Sequence, residues 1–220
     1  MIINSVAGTG KSYPIAAVRE KDKCVITATT GKASFNISGV TIHSLLKLPV
    51  NYKYQKELSG QSLAMLQDRL ASIEYILIDE YSMLGQKSFG WIDRRCRQAT
   101  GLHEQIFGGK SIILIGDPGQ LPPVCDKLLY HNKPSNSIAE QGYYAYQMFD
   151  KAIVLTVNKR VGGNSSDQQK FRDSLFRLRN GDSSEDDWKL LLTRQPSEVM
   201  QIIIIVMATS LCTCKGASVV

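Results

Sequence analysis

Apolar residues in this chain fall into short runs separated by longer amphipathic stretches. Cys24-Val25-Ile26, Tyr75–Ile78, Ile112–Ile115 and Ile153–Leu155 each read as a strand, and each ends near polar or glycine-rich residues. Tyr75-Ile76-Leu77-Ile78 lacks polar alternation, which is the pattern of a strand buried on both faces. Helical periodicity lies between the runs, at about 11–19, 61–71, 86–99 and 167–179. In the last of these, Phe171, Leu175 and Leu178 stack at i, i+4 and i+7, and Asn180-Gly181 stops the helix. Lys170, Arg172, Arg177 and Arg179 decorate that helix as a solvated face. Strand–helix alternation of this kind predicts an α/β domain, a mainly parallel sheet covered by helices. Residues 48–60 and 126–142 are polar and read as loops, with turn chemistry from Asn132 to Asn136. Only Ile2 and Ile3 precede the first glycine-rich segment, so the strand that should feed it is expected to be nearly absent.

The 220 residues suffice for one domain with a full core. Of the formal charge of +6, +5 lies in residues 1–110, making that half the better face for a polyanion. Cys24, Cys96, Cys125, Cys212 and Cys214 are few, odd in number and scattered, which suggests reduced thiols in an intracellular setting. Cys212 and Cys214 have no second pair and the histidines lie far away, which argues against a zinc site. No secretory leader is visible, and no apolar run reaches membrane-spanning length. Ile202 to Met207 is apolar but short, and reads as a core strand or a non-native tail.

Two segments carry chemistry. Ala7-Gly8-Thr9-Gly10-Lys11-Ser12 is the back half of a phosphate-binding loop. Its glycines let backbone N–H groups curl around a phosphate, and Gly10-Lys11-Ser12 would open a helix whose N-terminus favours anions. Lys11 would reach the β- and γ-phosphates, and Ser12 would ligate Mg²⁺. The strict pattern G-x-x-x-x-G-K-[ST] has glycine where this chain has Ser5. Serine accepts fewer backbone conformations, so a strained or altered loop is expected there. Pro14 fits only within the first helical turn. The second segment, Asp79-Glu80, follows the buried strand at what would be the sheet's carboxyl edge, where ligands bind in open α/β sheets. Asp79 would hold Mg²⁺ and Glu80 would orient and deprotonate an attacking water. The bland alternatives are a glycine-rich turn before a surface helix and a solvated acidic turn after a core strand.

Four further segments narrow the reading. They are Ala28-Thr29-Thr30-Gly31-Lys32-Ala33-Ser34-Phe35-Asn36-Ile37 running into Gly39-Val40-Thr41-Ile42-His43-Ser44; Asp79-Glu80-Tyr81-Ser82-Met83-Leu84; Gly116-Asp117-Pro118-Gly119-Gln120-Leu121-Pro122-Pro123-Val124; and Leu155-Thr156-Val157-Asn158-Lys159-Arg160. In this order and spacing the chain resembles the Pif-one (petite integration frequency) DNA helicases of superfamily 1, up to about Pro196. The stretches from Gly90 to Gly109 and from Gln141 to Arg194 resemble the branch carried by Helitron transposons.

The resemblance implies a three-layer α/β, RecA-like phosphate-loop NTPase fold. Residues 1–196 would be a first motor domain shortened at its leading strand, and 197–220 an aberrant tail or the start of a missing second domain. It implies Gln120 as the sensor of the γ-phosphate, an amide that donates and accepts at once. It implies Arg160 as an arginine finger in cis, although Val161 stands where the family often has glutamine, and without the family Arg160 reads as a surface arginine. Thr30 and Gly31 resemble a phosphate-contacting motif, and Thr41 and His43 a second one. Phe35 could stack on a base, but core packing accounts for it equally well. The implied activity is ATP hydrolysis with Mg²⁺, coupled to 5′-to-3′ translocation on single-stranded DNA and unwinding of forked DNA. Repair, recombination, replication or telomere maintenance would be its setting, and the implied form a monomer in nucleus or mitochondrion. The alternative is a module that holds ATP or single-stranded DNA without turnover. An unrelated phosphate-loop kinase or GTPase fits less well, because the Gly116–Val124 string is present and a guanine-reading N-K-x-D is not.

Overall fold

The computed structural model describes residues 1–6, 8–49, 57–157 and 165–192. Among them the strands are Ile2–Ser5 (β1), Cys24–Ala28 (β2), Val40–Thr41 (β3), Tyr75–Asp79 (β4), Ser111–Gly116 (β5) and Ala152–Leu155 (β6). They form one sheet in the order β3-β2-β4-β5-β1-β6, with every neighbouring pair parallel. The strands expected at 24–26, 75–78, 112–115 and 153–155 are present, and Ile202 to Met207 lies outside the described residues.

The leading strand corrects the expectation that it would be nearly absent. β1 is a full strand between β5 and β6, with Asn4 opposite Gly116 and Ser5 opposite Leu155. Two apolar residues suffice because the pleat sends Ile2 to one face and Ile3 to the other, where each joins a separate core cluster. The flanking strands then satisfy the backbone of Asn4 and Ser5, whatever their side chains prefer. Ser5 is buried in extended backbone, so the strain expected there does not arise.

Alternation along the other strands repeats the same division. Ile76, Ile78, Ile112 and Leu114 enter the first cluster, while Leu77, Ile113 and Ile115 belong to the second. The second cluster is closed by Ser12–Arg19 (α1) and Gly31–Asn36 (α2), through Ile15, Val18 and Ala33. The first is closed by Ile42–Leu46 (α3), Gly60–Leu70 (α4), Gln86–Thr100 (α5) and Ser137–Gln147 (α6). Helices on both faces of one parallel sheet make the three-layer architecture.

α6 is a second correction, since residues 126–142 read as a loop and the helix begins at Ser137. Asn136, taken as turn chemistry, is its N-cap and accepts from the Ala139 N–H at 2.9 Å. The buried stripe Ile138, Ala139, Gly142 and Ala145 consists mostly of small residues, which gives a faint periodic signal. The small size is what the packing requires. A Cβ on Gly142 would lie 2.0 Å from the Gln86 carbonyl oxygen, and one on Gly90 would lie 2.1 Å from that of Ile138. Helices α5 and α6 therefore touch backbone to backbone. Pro14 sits in the first turn of α1, as its chemistry demands.

The chain divides into two compact units, Met1–Gly162 and Gly163–Val220. In the second, Ser166–Asn180 (α7) ends at Gly181, whose φ of 80° lets its N–H close on the Arg177 and Leu178 carbonyls. Arg177 is not simply a solvated charge, since it forks onto Asp187 of Glu185–Leu192 (α8) at 2.8 and 2.5 Å. No helix among the described residues is long and apolar enough to cross a membrane.

Candidate nucleotide and nucleic-acid site

The carboxyl ends of β1, β2, β4 and β5 are adjacent in the sheet, and each delivers one of the segments singled out from sequence. β1 runs into the glycine-rich loop. Gly8 and Gly10 take φ of 87° and 88°, which side chains with a Cβ rarely adopt. Thr9 pins the turn by donating from both its N–H and its hydroxyl to the Val6 carbonyl, at 3.2 and 2.7 Å. Ser12 then stands exposed in the first turn of α1. Ala7 lies outside the described residues.

β4 delivers Asp79 and Glu80 opposite that loop. The Lys11 ammonium meets Glu80 Oε1 at 3.1 Å, with both side chains largely buried. Asp79 is only 6 % exposed, which rules out a solvated acidic turn, and its Oδ1 is buried without a hydrogen-bond partner. Burial is the main cause holding the Asp79 carboxyl above its ordinary pKa. The Glu80 backbone N–H and the Lys11 charge pull it back, and the Glu80 charge pushes it further up. An orphaned carboxylate oxygen and an exposed serine hydroxyl are hard-oxygen donors of the kind Mg²⁺ takes. The two residues predicted as metal ligands thus fit that ion. Tyr81, buried behind the turn, donates to Asn4 Oδ1 at 2.6 Å and ties the β4 turn to the strand that feeds the phosphate loop.

β5 delivers Asp117 and Gln120. Asp117 is buried and organises the loop: its Oδ1 accepts from the Gly119 N–H and its carbonyl from the Gln120 N–H, both at 3.0 Å. The Gln120 side chain is exposed on that loop. Farther along, Asp126 accepts from the Lys87 and Ser88 N–H groups at the start of α5, at 2.9 and 3.2 Å. The loop after β5 is thereby anchored at both ends. Arg160 lies outside the described residues.

The residues proposed to meet DNA gather at the β2 and β3 end of the same edge. Thr30 caps α2 by accepting from the Ala33 N–H at 3.2 Å, and Thr41 caps α3 by accepting from Ser44 at the same distance. Gly31 is exposed. Phe35 is 79 % exposed, so the core-packing alternative for it falls. His43 is half-buried, and burial lowers its pKa, favouring the neutral ring.

The reading from sequence passed over Thr29, whose N–H donates to the Asp79 carbonyl at 3.3 Å and whose hydroxyl donates to that of Glu80 at 3.2 Å. It also passed over the Asn4–Tyr81 bond and the Asp126 anchor. All three are contacts between distant segments, and only Thr29 and Tyr81 fell inside strings that already drew notice.

Residues 1–189 match the family model described as PIF1-like helicase. The chain belongs to that family. Among relatives of the PIF1-like chain, the Saccharomyces cerevisiae ATP-dependent DNA helicase PIF1 is 30 % identical over 207 residues, 87 % of this chain and 23 % of the relative. The Campylobacter jejuni ATP-dependent DNA helicase Pif1 is 31 % identical over 163 residues, 68 % of this chain and 33 % of the relative. The crystal structure of Pif1 helicase from Bacteroides in complex with ADP-AlF3 and ssDNA superposes with a TM-score of 0.66 at 25 % identity, covering 90 % of this chain and 47 % of that one. The PIF1-like chain therefore spans a quarter to a third of these two relatives, and just under half of the solved helicase.

Proposed function

We propose that this chain is a motor domain of an ATP-dependent DNA helicase, hydrolysing ATP in response to single-stranded DNA. One observation carries the reading above the others: the phosphate-loop lysine is held 3.1 Å from Glu80, beside a buried carboxylate with an unpartnered oxygen. A triphosphate gives each group its partner. Lys11 exchanges the Glu80 carboxylate for phosphate oxygens, and backbone N–H groups of the loop and the α1 N-terminus take the rest of the phosphate charge. Glu80, released from Lys11, is free to orient a water and accept its proton. Asp79 and Ser12 would hold Mg²⁺, which when bound neutralises charge on the phosphate oxygens. Gln120, on the anchored loop beside β1 and β4, senses the γ-phosphate. Arg160 acts as a finger on the transition-state charge, a role typically worth ~10³–10⁵ in rate.

Thr30, Gly31, Phe35, Thr41 and His43 form the single-strand face, with Phe35 exposed for base stacking. These contacts address backbone and π-faces, so little sequence preference is expected. The names of the relatives and the ssDNA-bound neighbour support DNA as the polymer. The 5′-to-3′ polarity, action on forks, a role in repair, recombination, replication or telomere maintenance, a monomeric state, the Helitron-like branch and a nuclear or mitochondrial setting follow from the motif resemblance. The rival reading, a module that binds without turnover, has lost two supports, since β1 is a full strand and Ser5 is unstrained.

The test is ATP hydrolysis by the purified chain with Mg²⁺, with and without single-stranded DNA, beside Lys11→Ala. DNA-stimulated turnover that disappears in K11A is the expected result. Turnover unchanged in K11A sinks the proposal, and binding without turnover establishes the rival.

A further inference from the structure

We propose that Thr29 is a positioning residue that couples single-stranded DNA to the nucleotide site by clamping the Glu80 backbone. The inference rests on the function just proposed and adds the route by which its two ligands communicate. Glu80 sits at φ 54° and ψ 44°, the left-handed region that residues with a Cβ avoid. Such a conformation persists only where its surroundings over-determine it. Here the segments at the carboxyl ends of three strands do so, together with the Met83 N–H, which donates to the Glu80 carbonyl at 3.2 Å. From β1, Lys11 holds the carboxylate at 3.1 Å. From β5, Gly116 lets the turn lie close, since a Cβ there would stand 3.0 Å from the Tyr81 nitrogen and 3.5 Å from the Glu80 Cα. From β2, Thr29 donates its N–H to the Asp79 carbonyl and its hydroxyl to the Glu80 carbonyl, extending the β2–β4 ladder beyond its last pair, Ala28 with Asp79.

Of these holds, only Thr29 continues directly into the single-strand face. The next residue, Thr30, caps α2, which carries the exposed Phe35. One planar peptide separates the two threonines, so a shift of the Thr30–Gly31 backbone on engaging a phosphate is delivered to Thr29. A shift of Thr29 changes the support under the Glu80 carbonyl, and with it the aim of the carboxylate that faces Lys11. Because coupling free energies are reciprocal, nucleotide at Lys11 must alter affinity for DNA by the same factor.

Thr29→Val keeps the shape and the N–H and deletes only the hydroxyl bond, while Thr29→Ser keeps that bond. The readout is the affinity of the 220-residue chain for a fluorescent ADP analogue with Mg²⁺, with and without oligo-dT, and for labelled oligo-dT with and without ADP. In the wild type each ligand should change the other's affinity by about 5–150-fold. T29V should bring that factor to about 1 while each ligand alone binds about as before, and T29S should restore it. A merely structural role would weaken both ligands and leave their ratio standing. Coupling in T29V equal to wild type overturns the proposal, as does wild type binding both ligands independently. Should T29V fail to fold, Thr29→Ala supplies the same readout. A wild-type chain that binds neither ligand overturns the proposed function itself, and the coupling falls with it.

Discussion

Asp79 and Asp93 are both buried carboxylates, 6 % and 0 % exposed, and they are held in opposite ways. At the seam of α5 and α6, Asp93 is fully engaged. It takes the Arg97 guanidinium at 2.9 and 3.0 Å, the Phe107 N–H at 2.5 Å and the Gln141 amide at 2.5 Å. It joins both helices and the turn at Phe107 in one knot. At the carboxyl edge of the sheet, Asp79 keeps one oxygen buried and unpartnered, and burial pushes its carboxyl upward. A buried charge with every lone pair used stabilises a fold. One left unsatisfied costs free energy, and is retained where a ligand completes it. The contrast separates a carboxylate whose partners all lie within the fold from one left open, fourteen residues earlier in the chain, that we propose as a metal ligand.

Four changes would break or sharpen that contrast. The largest effect belongs to Glu80→Gln, which should lower DNA-stimulated ATP hydrolysis by ~10²–10⁴-fold if Glu80 is the base. Its chemical-denaturation midpoint should stay near wild type, because the pair it loses serves the site. Next is Asp93→Ala, which strands Arg97 and the Phe107 N–H in the interior. Unfolding free energy from urea titration should fall by about 3–5 kcal/mol. A loss below about 1 kcal/mol would show that the knot at Asp93 holds little together.

Asp79→Asn should go the other way, stabilising the free protein by about 1 kcal/mol while abolishing hydrolysis, the usual trade at an active site. The sign follows from the raised pKa. At neutral pH the folded state carries a charge it would rather not hold, so the advantage of asparagine should fade as pH falls through the carboxyl's raised pKa. Addition of Mg²⁺ and ADP should reverse the order of melting temperatures, since only wild type gains binding energy.

The smallest effect concerns Asp187 in the second unit. Arg177, followed by the Ser184 N–H, holds its carboxyl well below the usual range. The contribution is therefore present above the ordinary aspartate pKa and lost as pH falls below about 4. Helicity of α7 and α8 read by circular dichroism should drop there, and Arg177→Ala should remove that pH step.

β4 and β5 were readable because they are buried on both faces, which leaves a continuous apolar run in each. α6 and β1 were not. The contacts of α6 demand small residues, and β1 has room for two apolar side chains; in both, neighbours decide the conformation more than local preference does. The chemistry of the site followed the same division. Lys11, Ser12, Asp79 and Glu80 stood out as candidates because phosphate and metal chemistry restrict which residue types stand at which spacing. The PIF1-like family was announced instead by further segments of the chain, Thr41-Ile42-His43-Ser44 and the string from Gly116 to Val124 above all. That Lys11 meets Glu80, that Glu80 is held in left-handed backbone by Thr29 and Gly116, and that Phe35 faces solvent were decided only when strands far apart in sequence came side by side. Identity and spacing are properties of the chain. Satisfaction of a buried oxygen, strain in a turn and exposure of a ring are relations between segments, and only the folded arrangement specifies them.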